Sequence, residues 1–174
     1  MRSFAKDIIT QTAVTAGLAE TSVMDKPDKE TILLPEKRIQ LEYLDQTFER
    51  AFKRVARMAS LENPDTHRTI RAMVYKTDLI VRAEIKSNDE NWLEEFVGKF
   101  LLALPYKTAA PDNNLVAIRV SRAIRGGFGK RTVEVFKKRS NALHIIFAGM
   151  ICQDTERALI TDVNIKDGTK YNEN

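Results

Sequence analysis

The chain has 174 residues, 43% of them apolar and 30% charged, with a formal net charge of +4. This length and balance fit one folded domain with a buried core, with or without an arm, and exclude a fibrous or wholly disordered chain. The single cysteine, Cys152, excludes an internal disulfide, and no CxxC pair offers a zinc site, so a reducing compartment and a metal-free fold are expected.

Residues 1–20 lack the apolar stretch of a signal peptide, and the longest nearly apolar run, Ala142 to Cys152, is too short to span a bilayer. The expectation is a protein made in a cytoplasm, without a membrane partner. Residues 4–19 read as a short helix in which Phe4, Ile8 and Ile9 share a face with Ala5, Thr12 and Ala13, with Gly17 weakening its end. Residues 20–31 are polar, contain Pro27 and read as a linker. The expected organisation is an N-terminal helical arm over 1–30, ordered on a partner, a single domain over 31–166, and a frayed tail over 167–174.

Ile39, Leu41 and Tyr43 alternate with polar residues and predict a half-buried strand. Thr47 to Met58 fits both a helix face and strand alternation, so residues 44–67 stay open between the two. Asn63-Pro64-Asp65 predicts a turn. Thr69–Tyr75 and Leu79–Ile85 predict two strands around a bend at Lys76-Thr77-Asp78. A helix is expected from Asn88 to Leu104, with Ser87 and Glu90 at capping-box spacing and Pro105 as its stop. Its stripe of Trp92, Leu93, Phe96, Val97, Phe100, Leu101 and Leu104 must bury against a sheet. After a turn at Pro111–Asn114 come strands over Leu115–Ser121, Thr132–Phe136 and Asn141–Cys152, the last central and covered on both faces. Gln153–Glu156 predicts a turn into a final strand, Ala158–Ile165. The fold class is therefore expected to be α+β: a mainly antiparallel sheet packed against one long amphipathic helix, with an N-terminal helical arm.

Charge is concentrated in one segment. Arg119, Arg122, Arg125, Lys130, Arg131, Lys137, Lys138 and Arg139 face a single acid, Glu134, which gives 119–139 a net +7 and leaves −3 for the rest. Gly126-Gly127-Phe128-Gly129 sits inside it, between strand-like flanks. A cationic loop between strands is a contact surface for something anionic. We expect these eight cations and Phe128 to bind a partner. A second basic group, Arg50, Lys53, Arg54 and Arg57, either extends that patch or forms a solvated face.

No catalytic constellation stands out. Gly129-Lys130 is followed by Arg131, and Ile124 occupies the position where a P-loop needs its first glycine, so nucleotide binding is not expected. His67 falls in a polar turn. His144 and Cys152 lie eight residues apart in one expected strand, roughly 27 Å if it is straight, too far for a catalytic pair. Cys152 reads as a buried, inert thiol. Asp89, Glu90, Glu94 and Glu95 gather at a helix start, where the helix dipole accounts for them. Catalytic, cofactor and metal sites are all expected to be absent.

The pattern over Arg68–Lys166 resembles that of phage tail-terminator proteins, which complete tails and join them to heads. It includes Asn91-Trp92-Leu93-Glu94-Glu95-Phe96 through Ala103-Leu104-Pro105, the strand Leu115–Val120, Leu143-His144-Ile145-Ile146-Phe147, and Leu159-Ile160-Thr161-Asp162-Val163-Asn164-Ile165. The resemblance implies a non-enzymatic subunit of a ring, usually of six, that caps the tail tube and stops its growth. It implies the tube or sheath protein and the head connector or neck protein as partners, with arms and hairpins reaching neighbouring subunits. The first 30 residues and 44–67 depart from the family pattern. On this reading Arg122, Arg125, Lys130 and Arg131 meet acidic residues of a neighbour, or DNA passing through the lumen. The alternatives are another neck or tail-tube protein of the same particle, or a nucleic-acid-binding module using 119–139.

Overall fold

The computed structural model of the chain describes residues 1–27, 34–127 and 139–159. Its architecture is a curled, mixed half-barrel sheet with two short helices, and not a sheet packed on one long helix. The strands are β1 (Val23–Asp25), β2 (Arg38–Ala59), β3 (His67–Ser87), β4 (Lys107–Ala109), β5 (Leu115–Gly127) and β6 (Arg139–Ala158). The helices are α1 (Arg2–Thr15) and α2 (Glu90–Ala103). The sheet order is β1-β2-β3-β6-β5-β4, with β1 parallel to β2 and every other pair antiparallel.

The expected fold class fails because the strands are far longer than the turn signals allow. β2, β3 and β6 run for 22, 21 and 20 residues, where five or six is common. Lys76-Thr77-Asp78 is no bend: these residues pair in register with both Thr47–Glu49 and Ala148–Met150, and the irregularity falls between Met73 and Tyr75. Gln153–Glu156 is no turn either, since it pairs with Thr69–Ala72. Polar residues that read as punctuation belong to continuous strands, exposed over Gln153–Glu156 and buried at Thr77. The open segment 44–59 is strand, with three register shifts on β2 that bend it. The expected strand Thr132–Phe136, the final strand beyond Leu159 and the tail lie outside the described residues.

One concave face of the sheet holds the core. Ile39 and Leu41 of β2, Leu79, Val81, Ala83 and Ile85 of β3, and Leu143, Ile145 and Phe147 of β6 are all buried there. Their period of two is what one covered face requires. β6 is central, as expected, but Ile146 and Ala148 on its other face are only half-buried. α2 contributes Leu93, Phe96 and Phe100, with Phe96 stacked on Trp92 at 4.7 Å. Leu101 does not join this stripe and is 41% exposed. Asp89 caps α2 by accepting from the Trp92 N–H at 3.1 Å, displacing the expected Ser87. Ser87 is still paired in β3 and accepts from the Asp89 N–H instead. Leu104, before Pro105, is extended and ends the helix.

α1 is part of this core. Ala5, Ile9 and Ala13 are fully buried in the same cluster as Phe100 and Phe147. The expectation of an arm ordered only by a partner is therefore corrected. This i, i+4 stripe packs α1 beside α2 and into the core cluster. Gly17, at φ 100°, ends it in a Schellman turn: its N–H reaches the Val14 carbonyl, and the Leu18 N–H reaches that of Ala13. The expected linker then supplies β1, which pairs with Ile39–Leu41.

Tyr43 ties these parts together. Its hydroxyl donates to Asp25 at 3.3 Å and the Arg2 guanidinium lies 5.6 Å from its ring. Partial burial, then the Asp25 charge, push its phenol up to about 12. A raised folded-state value means a contribution that is complete below the ordinary tyrosine value, about 10, and lost as pH rises towards 12. Alkaline titration of phenolate absorbance should show a step near pH 12 that Tyr43→Phe removes.

Candidate interaction surfaces

The basic segment is more regular than a loop. β5 continues through Gly126 and Gly127, which pair with Ser140 and Arg139 of β6. Arg119 and Arg122 are exposed on the convex face of the sheet. Arg122 lies opposite His144, which lies opposite Arg82, which lies opposite Glu42. Arg82 reaches Glu42 at 3.5 Å, and Arg119 approaches Asp78 at 3.9 Å. Pairs this exposed contribute little to stability, so Arg119 and Arg122 remain available to a partner. Of the other expected contact residues, Arg125 and Arg139 are described only as backbone, and Phe128, Lys130, Arg131, Lys137 and Lys138 lie outside the described residues.

The second surface was open in the sequence and is defined by the long strands. Beyond Ala148, β5 no longer accompanies β6. β1 accompanies β2 only at Ile39–Leu41. From there β2, β3 and β6 run on as a three-stranded blade past the helices. Among the described residues, no strand pairs with the outer edge of β2 from Tyr43 to Ala59. Phe48, Phe52, Val55 and Met58 on that strand are 57%, 75%, 46% and 43% exposed. Leu61, in the turn at its tip, is wholly exposed. An open, apolar edge is a template for pairing with another chain. The register shifts and the many cations of β2 limit indiscriminate pairing.

The blade tip holds a third feature. Arg54 and Arg57 of β2, Arg68 of β3 and Arg157 of β6 surround a hollow of about 300 Å³ floored by Ile70, Ala158 and Leu159. Arg68 and Arg157 are direct cross-strand partners, and Arg57 is opposite Ile70. Arg54 and Arg57 stand level with Gln153 and Thr155 of β6, whereas Arg119 and Arg122 pair with Ile146 and His144. Arg139 and Arg157 are 18 residues apart, near opposite ends of one continuous strand. No spacing in the sequence announces this cluster, because only the β2–β3–β6 register joins its parts. Arg71 nearby is already satisfied: it holds Asp154 with two bonds of 2.8 Å. That bond, then the charge, raises Arg71, and holds the Asp154 carboxyl below its usual range.

The remaining chemistry-bearing residues are dispersed. His144 and Cys152 both lie in continuous β6, which keeps them apart. Cys152 is half-buried, and that burial raises its thiol above the ordinary value, which leaves it protonated and unreactive at neutral pH. His67 opens β3, half-buried, with Thr66 2.9 Å from its Nδ1. Among the described residues no group of His, Cys, Asp or Glu has the geometry to hold a metal ion. Among them, no helix is long and apolar enough to cross a membrane. An apolar groove of about 320 Å³, lined by Met1, Phe4, Val116, Met150 and Ile151, with Asp112 at its side, lies at the base of the blade.

No protein-family model matches this chain, and no curated protein matches it.

Proposed function

We propose that this chain is a structural subunit of a phage tail: a terminator that assembles into a ring on the tail tube, ends its growth and offers a surface to the head connector. The observation that carries the reading is the blade. A half-barrel with a projecting three-stranded blade, an unpaired β2 edge among the described residues and exposed Phe48 and Phe52 has the parts a ring subunit needs. A patch on one copy that meets a different patch on the next gives a heterologous contact, which closes into a ring when the rotation permits. The groove at the base of the blade is apolar and faces solvent, which gives the neighbouring copy such a patch. Cations at both ends of the sheet suit orientation between unlike neighbours.

Light scattering of the purified chain at low and moderate salt, with negative-stain images of the same samples, tests the reading. The expected result is a ring, or a monomer that becomes a ring when tail tubes are added. A monomer that ignores tubes but shifts onto duplex DNA would overturn it in favour of nucleic-acid binding.

A further inference from the structure

We propose that the four-arginine hollow at the blade tip is a docking site for an acidic segment of another protein, held through its carboxylates. The inference stands apart from ring formation, because it concerns a site complete within one copy. Each of three strands supplies a cation to the same hollow: Arg54 and Arg57, Arg68, and Arg157. Arg68 stands directly opposite Arg157, a like-charge pairing that weakens a sheet. Among the described residues Arg54, Arg57 and Arg157 form no ion pair, whereas Arg71 alongside is neutralised by Asp154. Arg68 is held in place by donating to the backbone carbonyls of Pro64 and His67. A guanidinium has five donors, so it keeps others for a ligand. An anion in the hollow relieves the mutual repulsion and accepts planar, two-pronged bonds that lysines would not offer.

A peptide fits this site better than a nucleic-acid backbone. The hollow is bounded: Glu62 and Asp65 lie in the turn beyond it. A polyphosphate running past the arginines would meet these acids, while a short acidic segment would not. The floor of Ile70, Ala158 and Leu159 suits the methylene stems of glutamates, and no aromatic ring among the lining residues offers a base a stacking partner.

The test is fluorescence anisotropy with a labelled oligo-glutamate peptide and, separately, a labelled DNA duplex. Wild type is compared with Arg57→Gln/Arg157→Gln, both exposed positions, after circular dichroism has confirmed the fold of the variant. The expected result is peptide binding by the wild type that weakens about tenfold or more when two charge-assisted contacts go. Binding to the duplex should change much less, because the 119–139 cations remain. No peptide binding by the wild type would overturn the proposal. So would a loss of duplex binding as large as the loss of peptide binding.

Discussion

Phe147→Ala should cost about 3–5 kcal/mol of folding stability. Phe147 is fully buried, and its cross-strand partners are Leu79 on one side and Ile118 on the other. It sits in the cluster that joins α1, α2 and the concave face of the sheet. Removing the ring leaves a cavity that three separate layers would have to shift to fill, so the transfer loss and the cavity loss add. For a chain of this size the melting temperature should fall by roughly 6–20 °C. Leu102→Ala provides the comparison: Leu102 is 90% exposed on α2, and its loss should stay within about 0.5 kcal/mol. Denaturant melts of the two variants check both statements. A fall of less than about 1 kcal/mol for Phe147→Ala would mean that the concave face is not the core.

What the sequence disclosed follows from where periodicity is unambiguous. The stripe of α2 and the alternation of Leu79 to Ile85 each have one covered face, and a covered face leaves a clear period. The face of α1 was legible too, but its destination was not: nothing local distinguishes a helix that docks on its own sheet from one that docks on a neighbour. The blade was illegible for the opposite reason. Where neither face is covered, no selection for alternation acts, and Gln153–Glu156, exposed throughout, can look like a turn while pairing as strand; in Lys76-Thr77-Asp78 the one buried residue, Thr77, is polar and leaves no apolar mark. The three register shifts of β2 also break any simple alternation between Tyr43 and Ala56. Likewise the 119–139 cations were visible as a local run, whereas Arg54, Arg57, Arg68 and Arg157 meet only through long-range register. Charge that is local in sequence is easily seen, and charge assembled by pairing is not.

Phe48→Glu/Phe52→Glu should abolish self-association while leaving the fold in place. Both rings lie on the open edge strand and are more than half exposed, so the single chain loses little when they go. The Arg50 guanidinium lies 4.8 Å from the centre of the Phe52 ring, an exposed contact worth about 0.5–1 kcal/mol. A glutamate at 52 keeps an attraction to Arg50, which offsets part of that. The interface is affected much more. Burying one phenylalanine contributes roughly 1.5–3 kcal/mol, and aromatic anchors dominate interfaces. Losing two should weaken association about 10²- to 10⁴-fold, before any cost of burying the new carboxylates. Sedimentation velocity over a concentration series reads this directly, with circular dichroism as the control on folding. The variant should stay a folded monomer under conditions, tail tubes included, where the wild type assembles. Assembly by the variant at wild-type concentrations would show that copies meet elsewhere and that the blade is not the joining surface.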